Sequence, residues 1–230
     1  MKLKTTSLAT LAAITIAGSA SAANIIWQDP QAISASTDVS TQGTLFTAKS
    51  TGYDYTVNGV LFSGSAANIL EPSFTTGSAN YANGQTFIGT NDTDGQAYAG
   101  LMDIAHGING SWPGGDATIT FTGLTINQEY LVQYWVADYR DYTNDRALTL
   151  TGGTNTSGVL RFLDSDNTYG IHGSYVIGTF TADATEQSII ANANESTMMN
   201  AAQLRAIPEP SAALLGGLGM LALLRRRRQF

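Results

Sequence analysis

The segment that follows the most apolar run of the chain carries side chains suited to recognising a sugar. It contains Asp138, Tyr139, Arg140, Tyr142 and Arg146. An aromatic ring packs on the apolar side of a pyranose, while carboxylate and guanidinium groups bind its hydroxyls. A second interpretation needs no ligand: Arg140 or Arg146 pairs with a neighbouring aspartate, Asp138 or Asp145, and ties two sheets together. The sequence leaves both interpretations open.

Tryptophan offers a second platform for a sugar ring. Trp112 stands in Gly110-Ser111-Trp112-Pro113-Gly114-Gly115, where glycine and proline predict a loop. Trp27 and Trp135 lie in strand-like runs, so we expect them to belong to the core. The ligand-binding prediction therefore includes Trp112 and excludes the other two.

Oxygen-rich turns suggest a hard cation such as Ca²⁺. In Asn91-Asp92-Thr93-Asp94-Gly95, Asp92 and Asp94 stand at alternate positions before a glycine. Leu163-Asp164-Ser165-Asp166-Asn167 is similar. No glutamate completes an EF-hand loop, and Asp and Asn also stabilise turns without any metal. A structural Ca²⁺ on Asp92 and Asp94 is one prediction, and ordinary turn chemistry is the other.

Catalytic signatures are missing from the sequence. Its two histidines, His106 and His172, belong to no hydrolase or metalloprotease motif. A glycosidase needs two suitably spaced carboxylates, and any acidic domain contains such pairs. We therefore predict no catalytic residue and no enzyme, with a polysaccharide hydrolase or lyase as a minor alternative.

The elements that must position these residues have a β pattern. Short apolar or alternating runs recur between clusters of Gly, Asn and Asp, which is typical of an antiparallel β-sandwich or jelly roll. The predicted strands are Leu45–Ala48, Val57–Phe62, Thr118–Thr122, Tyr130–Ala137, Ala147–Thr151, Val159–Leu163, Tyr175–Thr181, Ser188–Ala191 and Ala201–Ala206.

Two regions of this pattern differ from the rest. Tyr130–Ala137 (YLVQYWVA) is apolar at both alternating sets of positions, so it should be a central strand covered on both faces. Residues 64–116 are rich in loop residues. There the sequence predicts only a strand at Gln85–Ile88 and a short helix near Tyr98–His106.

The two ends of the chain have the sequence patterns of targeting segments. Lys2 and Lys4 precede the apolar run Leu8–Gly18, and Ala20-Ser21-Ala22 resembles a signal-peptidase site. We expect residues 1–22 to be a secretory signal that is cleaved after Ala22. Residues 23–206 then form one extracytoplasmic domain.

The C-terminal segment 207–230 has a tripartite pattern. Pro208-Glu209-Pro210 precedes the uncharged run Ser211–Leu224, and Arg225, Arg226, Arg227 and Arg228 follow. Crossing a hydrocarbon core of about 30 Å takes about 20 apolar residues, so a helix over 211–224 would be short. The arginines would remain on the cytoplasmic side. A plain membrane anchor is the alternative to a sorting tag.

This pattern resembles the PEP-CTERM sorting signal of Gram-negative bacteria. The resemblance implies that an exosortase in the inner membrane cleaves the tag and passes the protein to the cell surface or extracellular matrix. The implied partners are signal peptidase, the exosortase and, transiently, the inner membrane. Pro208, Glu209, Pro210 and the four arginines are the implied sorting residues.

The domain itself resembles the carbohydrate-binding-like, galactose-binding-like jelly rolls of exported bacterial proteins. The resemblance lies in TITFTGLTINQEYLVQYWVADYRD, YVIGTFTADATEQSII and NAAQLRAIPEP. It implies a fold and suggests an exopolysaccharide as partner. A structural biofilm matrix protein without a small ligand is the alternative.

Charge and cysteine content limit the other choices. Residues 23–207 contain five basic and seventeen acidic residues, a net charge of −12, and the chain has no cysteine. A surface this acidic excludes nucleic acid as an expected partner. The domain must be stabilised by its core, because neither disulfides nor thiolate-bound metals are available.

Overall fold

The computed structural model describes residues 22–51, 53–64, 80–82, 93–107, 116–138, 146–162, 173–194 and 197–208. This part of the chain is mostly β-structure. Its strands are β1 (Ile26–Trp27), β2 (Gln31–Ala32), β3 (Thr44–Ser50), β4 (Tyr55–Val57), β5 (Val60–Gly64), β6 (Asn80–Ala82), β7 (Ile104–Gly107), β8 (Asp116–Thr122), β9 (Glu129–Val136), β10 (Ala147–Gly152), β11 (Asn155–Thr156), β12 (Leu160–Arg161), β13 (Ser174–Thr181), β14 (Glu186–Ala193), β15 (Met198–Met199) and β16 (Ala201–Ile207). One α-helix, α1 (Thr93–Asp103), and a short 3₁₀ helix (Ser36–Asp38) accompany them.

The strands of the described residues form three sheets. The large sheet has the order β1-β13-β9-β16-β3-β5-β4, with β2 also paired to β13. The four-strand path β11-β10-β14-β8, joined by β12 on β10, forms a second sheet, which we call the hydroxyl sheet. A small sheet contains β15, β7 and β6. Most neighbours are antiparallel, but β3 and β5 are parallel, so the large sheet is mixed.

Strand β9 lies in the interior of the large sheet, between β13 and β16. Its residues from Tyr130 to Val136 are all buried. The prediction of a central strand is thereby confirmed, and Trp135, with no exposed surface, is a core residue as expected. Trp27 lies in β1 and is partly buried against the other core, the one between the two sheets.

The two faces of β9 contribute to two different cores. Val132 and Tyr134 pack with Ile119, Leu150 and other apolar residues of the hydroxyl sheet, so the two sheets are layered face to face. Trp135 points the other way and packs with residues of α1 such as Leu101. Helix and second sheet therefore cover opposite faces of the large sheet, because alternate residues of a strand point to opposite sides.

The run Val57–Phe62 is a hairpin, and the prediction of a single strand there is wrong. Asn58 and Gly59 form its turn with φ angles of 48° and 72°. Two successive positive φ angles match the tight hairpin turns that Asn-Gly favours. Because the hairpin reverses the chain, β5 pairs with β4 antiparallel and returns parallel to β3. The expectation of a purely antiparallel fold fails for this reason.

Most other predicted strands are present with shifted ends. The runs starting at Leu45, Thr118, Ala147, Tyr175, Ser188 and Ala201 correspond to β3, β8, β10, β13, β14 and β16. The strand predicted at Val159–Leu163 is mostly wrong, since among its described residues, 159–162, only Leu160–Arg161 forms a strand. Gln85–Ile88 lies outside the described residues.

The helix predicted near Tyr98–His106 begins earlier and ends earlier. It covers Thr93–Asp103, and Ile104–Gly107 continues as β7. The asparagine side chain of Asn200 donates to the carbonyl of Met102 at 2.8 Å, which satisfies a carbonyl of the last helical turn. Within the described ranges, no helix has the length and apolarity to cross a membrane. The run 211–224 lies outside them.

Candidate functional site

Two members of the predicted sugar-binding segment form a buried ion pair. Arg146 Nη1 lies 3.1 Å from Asp138 Oδ2, and the side chains are 7% and 1% exposed. The backbone of Phe162 bonds to both residues, accepting from Asp138 N at 3.0 Å and donating to Arg146 O at 3.1 Å. Asp138 follows β9 and Arg146 precedes β10, so the pair connects the large sheet to the hydroxyl sheet. This is the ligand-free arrangement that the second interpretation anticipated.

The other residues of that prediction lie elsewhere. Tyr139, Arg140, Tyr142 and Trp112 are outside the described residues, so their sugar-binding role stays a prediction. Because Asp138 and Arg146 are buried and engaged with each other, they act as supports for the segment between them. A ligand on this segment would have to contact residues 139–145.

The predicted cation turn is partly helical. Thr93, Asp94 and Gly95 form the start of α1, so the expectation of an open turn across them is wrong. An acidic residue in the first turn is favoured by the positive end of the helix dipole, which accounts for Asp94 without a metal. Asp92 lies outside the described residues. Within the described part of the chain, no three His, Cys, Asp or Glu residues come together as metal ligands do.

Asp38 anchors a polar cluster that the sequence did not suggest. Its carboxylate accepts from Ser34 N at 2.6 Å, Ser34 Oγ at 2.9 Å and Ala35 N at 3.0 Å. Tyr98 also donates to it at 3.4 Å, and Trp135 Nε1 donates to the Tyr98 oxygen at 3.0 Å. Since its acceptor sites are used inside the protein, this carboxylate closes the 34–38 loop over α1.

A tyrosine beside this cluster has a shifted pKa. Burial raises the pKa of Tyr175, and the negative charge of Asp38 raises it further. The phenol therefore stays neutral at physiological pH. It can donate or accept a hydrogen bond there but cannot act as a base.

A second buried polar cluster fixes the loop before β3. Gln133 Nε2 donates to Asp38 O at 2.7 Å, and Gln203 Nε2 donates to Gln133 Oε1 at 2.8 Å. The Arg205 guanidinium donates to the carbonyls of the loop residues Thr41, Gln42 and Gly43. Burial lowers the pKa of Arg205. Both glutamines and the arginine serve the fold, since backbone groups of the loop need these partners.

The outer surface of the hydroxyl sheet is a third arrangement that the sequence analysis missed. We call it the threonine face and define it by residues Thr118, Thr120, Thr149, Thr151, Thr156, Ser188 and Ile190. All of them are intermediate or exposed, while the alternate residues of β8 and β10, and those of β14 as far as Ala191, are buried. The repeated Thr-X-Thr pattern in residues 118–122 and 149–151 was the available signal.

Side chains of neighbouring strands contact each other across this face. Thr120 and Ser188 hydroxyls are 3.1 Å apart, and Thr151 and Thr156 hydroxyls are 3.0 Å apart. In register, Ile190 lies opposite Thr118 on one side and Thr151 on the other. The result is an array of hydroxyl and methyl groups around one exposed isoleucine, and the row of Thr149 beside it continues into Asn192 and Asp116.

Only the inner ends of the two predicted targeting segments fall within the described residues. Ala22 is the first described residue, and Ala20 lies outside. Ala23 is 8% exposed and packs in the core between the sheets. At the other end, β16 stops at Ile207 and Pro208 is exposed. Glu209, Pro210 and Arg225 to Arg228 lie outside the described residues.

Comparison with known proteins assigns no family. No family model matches the sequence, and no curated protein matches it. Among solved structures, the chain is similar to a family GH115 4-O-methyl-alpha-glucuronidase with specificity for decorated arabinogalactans, at 12% identity and a TM-score of 0.33. That match covers 46% of this chain and 15% of the glucuronidase.

Proposed function

We propose that this protein is exported, sorted through a PEP-CTERM tag, and placed at the cell surface or in the extracellular matrix as a non-catalytic polysaccharide-associated domain. The observation that carries the proposal is the junction at Ile207 and Pro208. The strand β16 ends there, and the sorting pattern of the sequence begins at the next residue.

The junction supports a tag that is separate from the fold. Strand β16 lies inside the large sheet, paired along its length with β9 and β3. Beyond it, Gln128 Nε2 donates to the carbonyl of Ile207 and closes the end of the strand. The core strands are therefore complete before Pro208, and cleavage at Pro208-Glu209-Pro210 would leave them intact. No long spacer separates domain and tag, so the domain would lie near the bilayer until cleavage.

The layered sheets and the charge support polysaccharide association. Two sheets that share one core are compatible with a jelly roll of the carbohydrate-binding-like type. A domain with a net charge of −12 repels anionic polymers and surfaces, which leaves neutral glycans as the more compatible partners. Sugar recognition by residues 139–145 and Trp112 belongs to this proposal.

Intact mass tests the sorting part. The protein is recovered from the surface fraction of its native host and its mass is compared with that of a Pro208→Ala/Pro210→Ala variant. We expect the native chain to lack residues 1–22 and Arg225–Arg228, and the variant to keep its tail. A mature native chain that retains all four arginines would contradict sorting and leave a plain anchor.

A polysaccharide panel tests the binding part. We expect retention on at least one neutral polymer and weaker retention after Trp112→Ala. Tyr53→Ala is the control, because Tyr53 is an aromatic residue with 72% exposure that is not part of the predicted sugar site. Binding to no polymer, together with loss of biofilm cohesion on deletion, would favour a structural matrix protein. Sugar release that disappears on changing one carboxylate would favour a hydrolase or lyase.

A further inference from the structure

We propose that the threonine face is the surface on which the domain docks a neutral polysaccharide. This inference rests on the proposed function and assigns it to a surface other than Trp112 and the 139–145 segment. The occupant is an uncharged, hydroxyl-rich glycan chain.

The centre of the threonine face carries no charged residue. The seven defining residues are five threonines, one serine and one isoleucine. Charged residues of the same sheet stand at its border: Asp116 at the end of the Thr149 row beyond Asn192, Glu186 at a strand end, and Arg161 on β12. In a domain with a net charge of −12, an uncharged centre is complementary to a neutral ligand and avoids the cost of desolvating ions.

The hydroxyl groups of the threonine face are regularly spaced. Strands β11, β10, β14 and β8 are adjacent in that order, and each contributes a hydroxyl to the same side. Neighbouring strands lie about 4.8 Å apart and alternate residues of one strand about 6.7 Å apart, so the two rows that hold only hydroxyls and Ile190 span about 14 Å by 7 Å. The Thr149 row adds Asn192 and Asp116 at one edge. An extended glycan can contact several hydroxyls of such a face at once.

The threonine face is held rigid by the buried residues of the same strands. Ile119, Leu150 and Ile189 are at most 1% exposed and anchor β8, β10 and β14 in the shared core. Threonine itself has few rotamers in a strand, because it is branched at Cβ. Binding therefore immobilises few side chains, and the entropy cost of each contact is small.

The hydroxyl and apolar groups of the face can still make contacts with a ligand. A hydroxyl has one donor and two acceptor lone pairs, so a pair such as Thr120 and Ser188 uses only part of its capacity. Ile190, 41% exposed, and the threonine methyl groups offer apolar contact to the C–H side of a sugar ring. Each contact is weak, but a long polymer presents many repeats and gains by multivalency.

The test uses the full-length chain in detergent micelles with beads that carry galactomannan, dextran or alginate. The face variant is Thr120→Val/Thr149→Val/Thr151→Val, which removes three hydroxyls and keeps branched side chains that suit strands. The control is Thr44→Val/Thr56→Val/Thr181→Val, which makes the same change at exposed positions of the large sheet. Thr151→Asp is a second face variant that adds a charge.

We expect the native chain and the control to bind a neutral polymer and not alginate. The face variant should bind at least about tenfold more weakly, and Thr151→Asp should also lose binding. Binding should change little between about 0.1 and 1 M salt, because no ions pair in the complex. Circular dichroism and thermal unfolding check that all variants are folded.

The outcomes separate this inference from the proposed function. Binding that survives both face variants, or is lost equally in the control, overturns the assignment to the threonine face and leaves polysaccharide association intact. Binding to none of the polymers by the native chain overturns both. Tighter binding to alginate than to the neutral polymers overturns the neutral-ligand assignment.

Discussion

Arg146 and Asp138 form a buried ion pair, with Nη1 3.1 Å from Oδ2, at the point where the large sheet passes the chain to the hydroxyl sheet. The two residues bracket seven residues of the candidate sugar-binding segment. The pair therefore has a structural role at the base of that segment, even though both residues have the chemistry expected of a sugar site.

Breaking this pair should destabilise the protein strongly. Arg146→Met leaves the Asp138 carboxylate buried without its cation, which costs about 3–5 kcal/mol of unfolding free energy. Asp138→Leu/Arg146→Met removes both charges and should cost much less. Urea unfolding of the three proteins measures the difference. If Arg146→Met were as stable as the native chain, other groups would be stabilising the Asp138 carboxylate.

Asn200 should be a second sensitive position. It has no exposed surface, its side-chain oxygen accepts from Ala137 N at 2.7 Å, and its amide donates to Met102 O at 2.8 Å. Asn200→Leu removes both of these buried hydrogen bonds to the backbone, which should cost about 2–4 kcal/mol of unfolding free energy. Asn155→Leu, which removes a side-chain bond to Ile25 O at an exposed site, is the matched control and should cost less than about 1 kcal/mol. Equal losses in the two variants would contradict the role of Asn200.

Gly100 should respond to alanine with the opposite sign from an ordinary helical glycine. Alanine usually stabilises a helix interior by about 1 kcal/mol relative to glycine. Here the added Cβ atom would overlap the Tyr55 ring, with Cζ 2.9 Å away. We expect Gly100→Ala to lower the unfolding free energy by about 1–3 kcal/mol. In a Tyr55→Leu background the same change should be neutral or stabilising, and thermal unfolding can compare the pairs.

Alkaline pH should destabilise the fold through Tyr134. Its hydroxyl donates to Met198 O at 2.9 Å, and burial raises its pKa above the ordinary value of 10.0. The folded state therefore holds the proton more tightly than the unfolded state, so this contribution is complete below pH 10 and falls as the pH rises above it. The expected loss is about 1.4 kcal/mol per pH unit from this group.

Tyr134→Phe provides the test of that pH dependence. Unfolding free energies between pH 8 and 11 should fall less steeply in the variant than in the native chain. Tyr53→Phe, at a site with 72% exposure, is the control and should keep the native slope. Identical slopes in all three proteins would rule out Tyr134 as a source of the alkaline sensitivity.

Local patterns made part of the fold predictable. The doubly apolar run at Tyr130–Ala137 indicated a central strand, and β9 is one. The hairpin at Asn58-Gly59 was equally predictable, because Asn-Gly is a strong turn signal, although the apolar residues on either side taken alone predict one strand. The parallel pairing of β3 and β5 was missed as a consequence.

The candidate site was less predictable because its contacts are not local. Asp138 has two arginines nearby in the sequence, Arg140 and Arg146, and it is the fold that brings the Arg146 guanidinium within 3.1 Å of its carboxylate. Gln133 and Gln203 are 70 residues apart and meet because β9 and β16 are neighbours. The threonine face likewise needs β10, β14 and β8 side by side, although other strands separate them in the chain.

The sequence by itself determined the alternation of buried and exposed residues, the acidic charge, and the Pro-Glu-Pro, apolar and arginine order of the tail. These follow from residue type and spacing along the chain. Only the tertiary structure decided which strands are neighbours, which charges pair, and which hydroxyls share a face. Those choices depend on hydrogen-bonded ladders and core packing between distant segments, where many pairings satisfy the same local pattern.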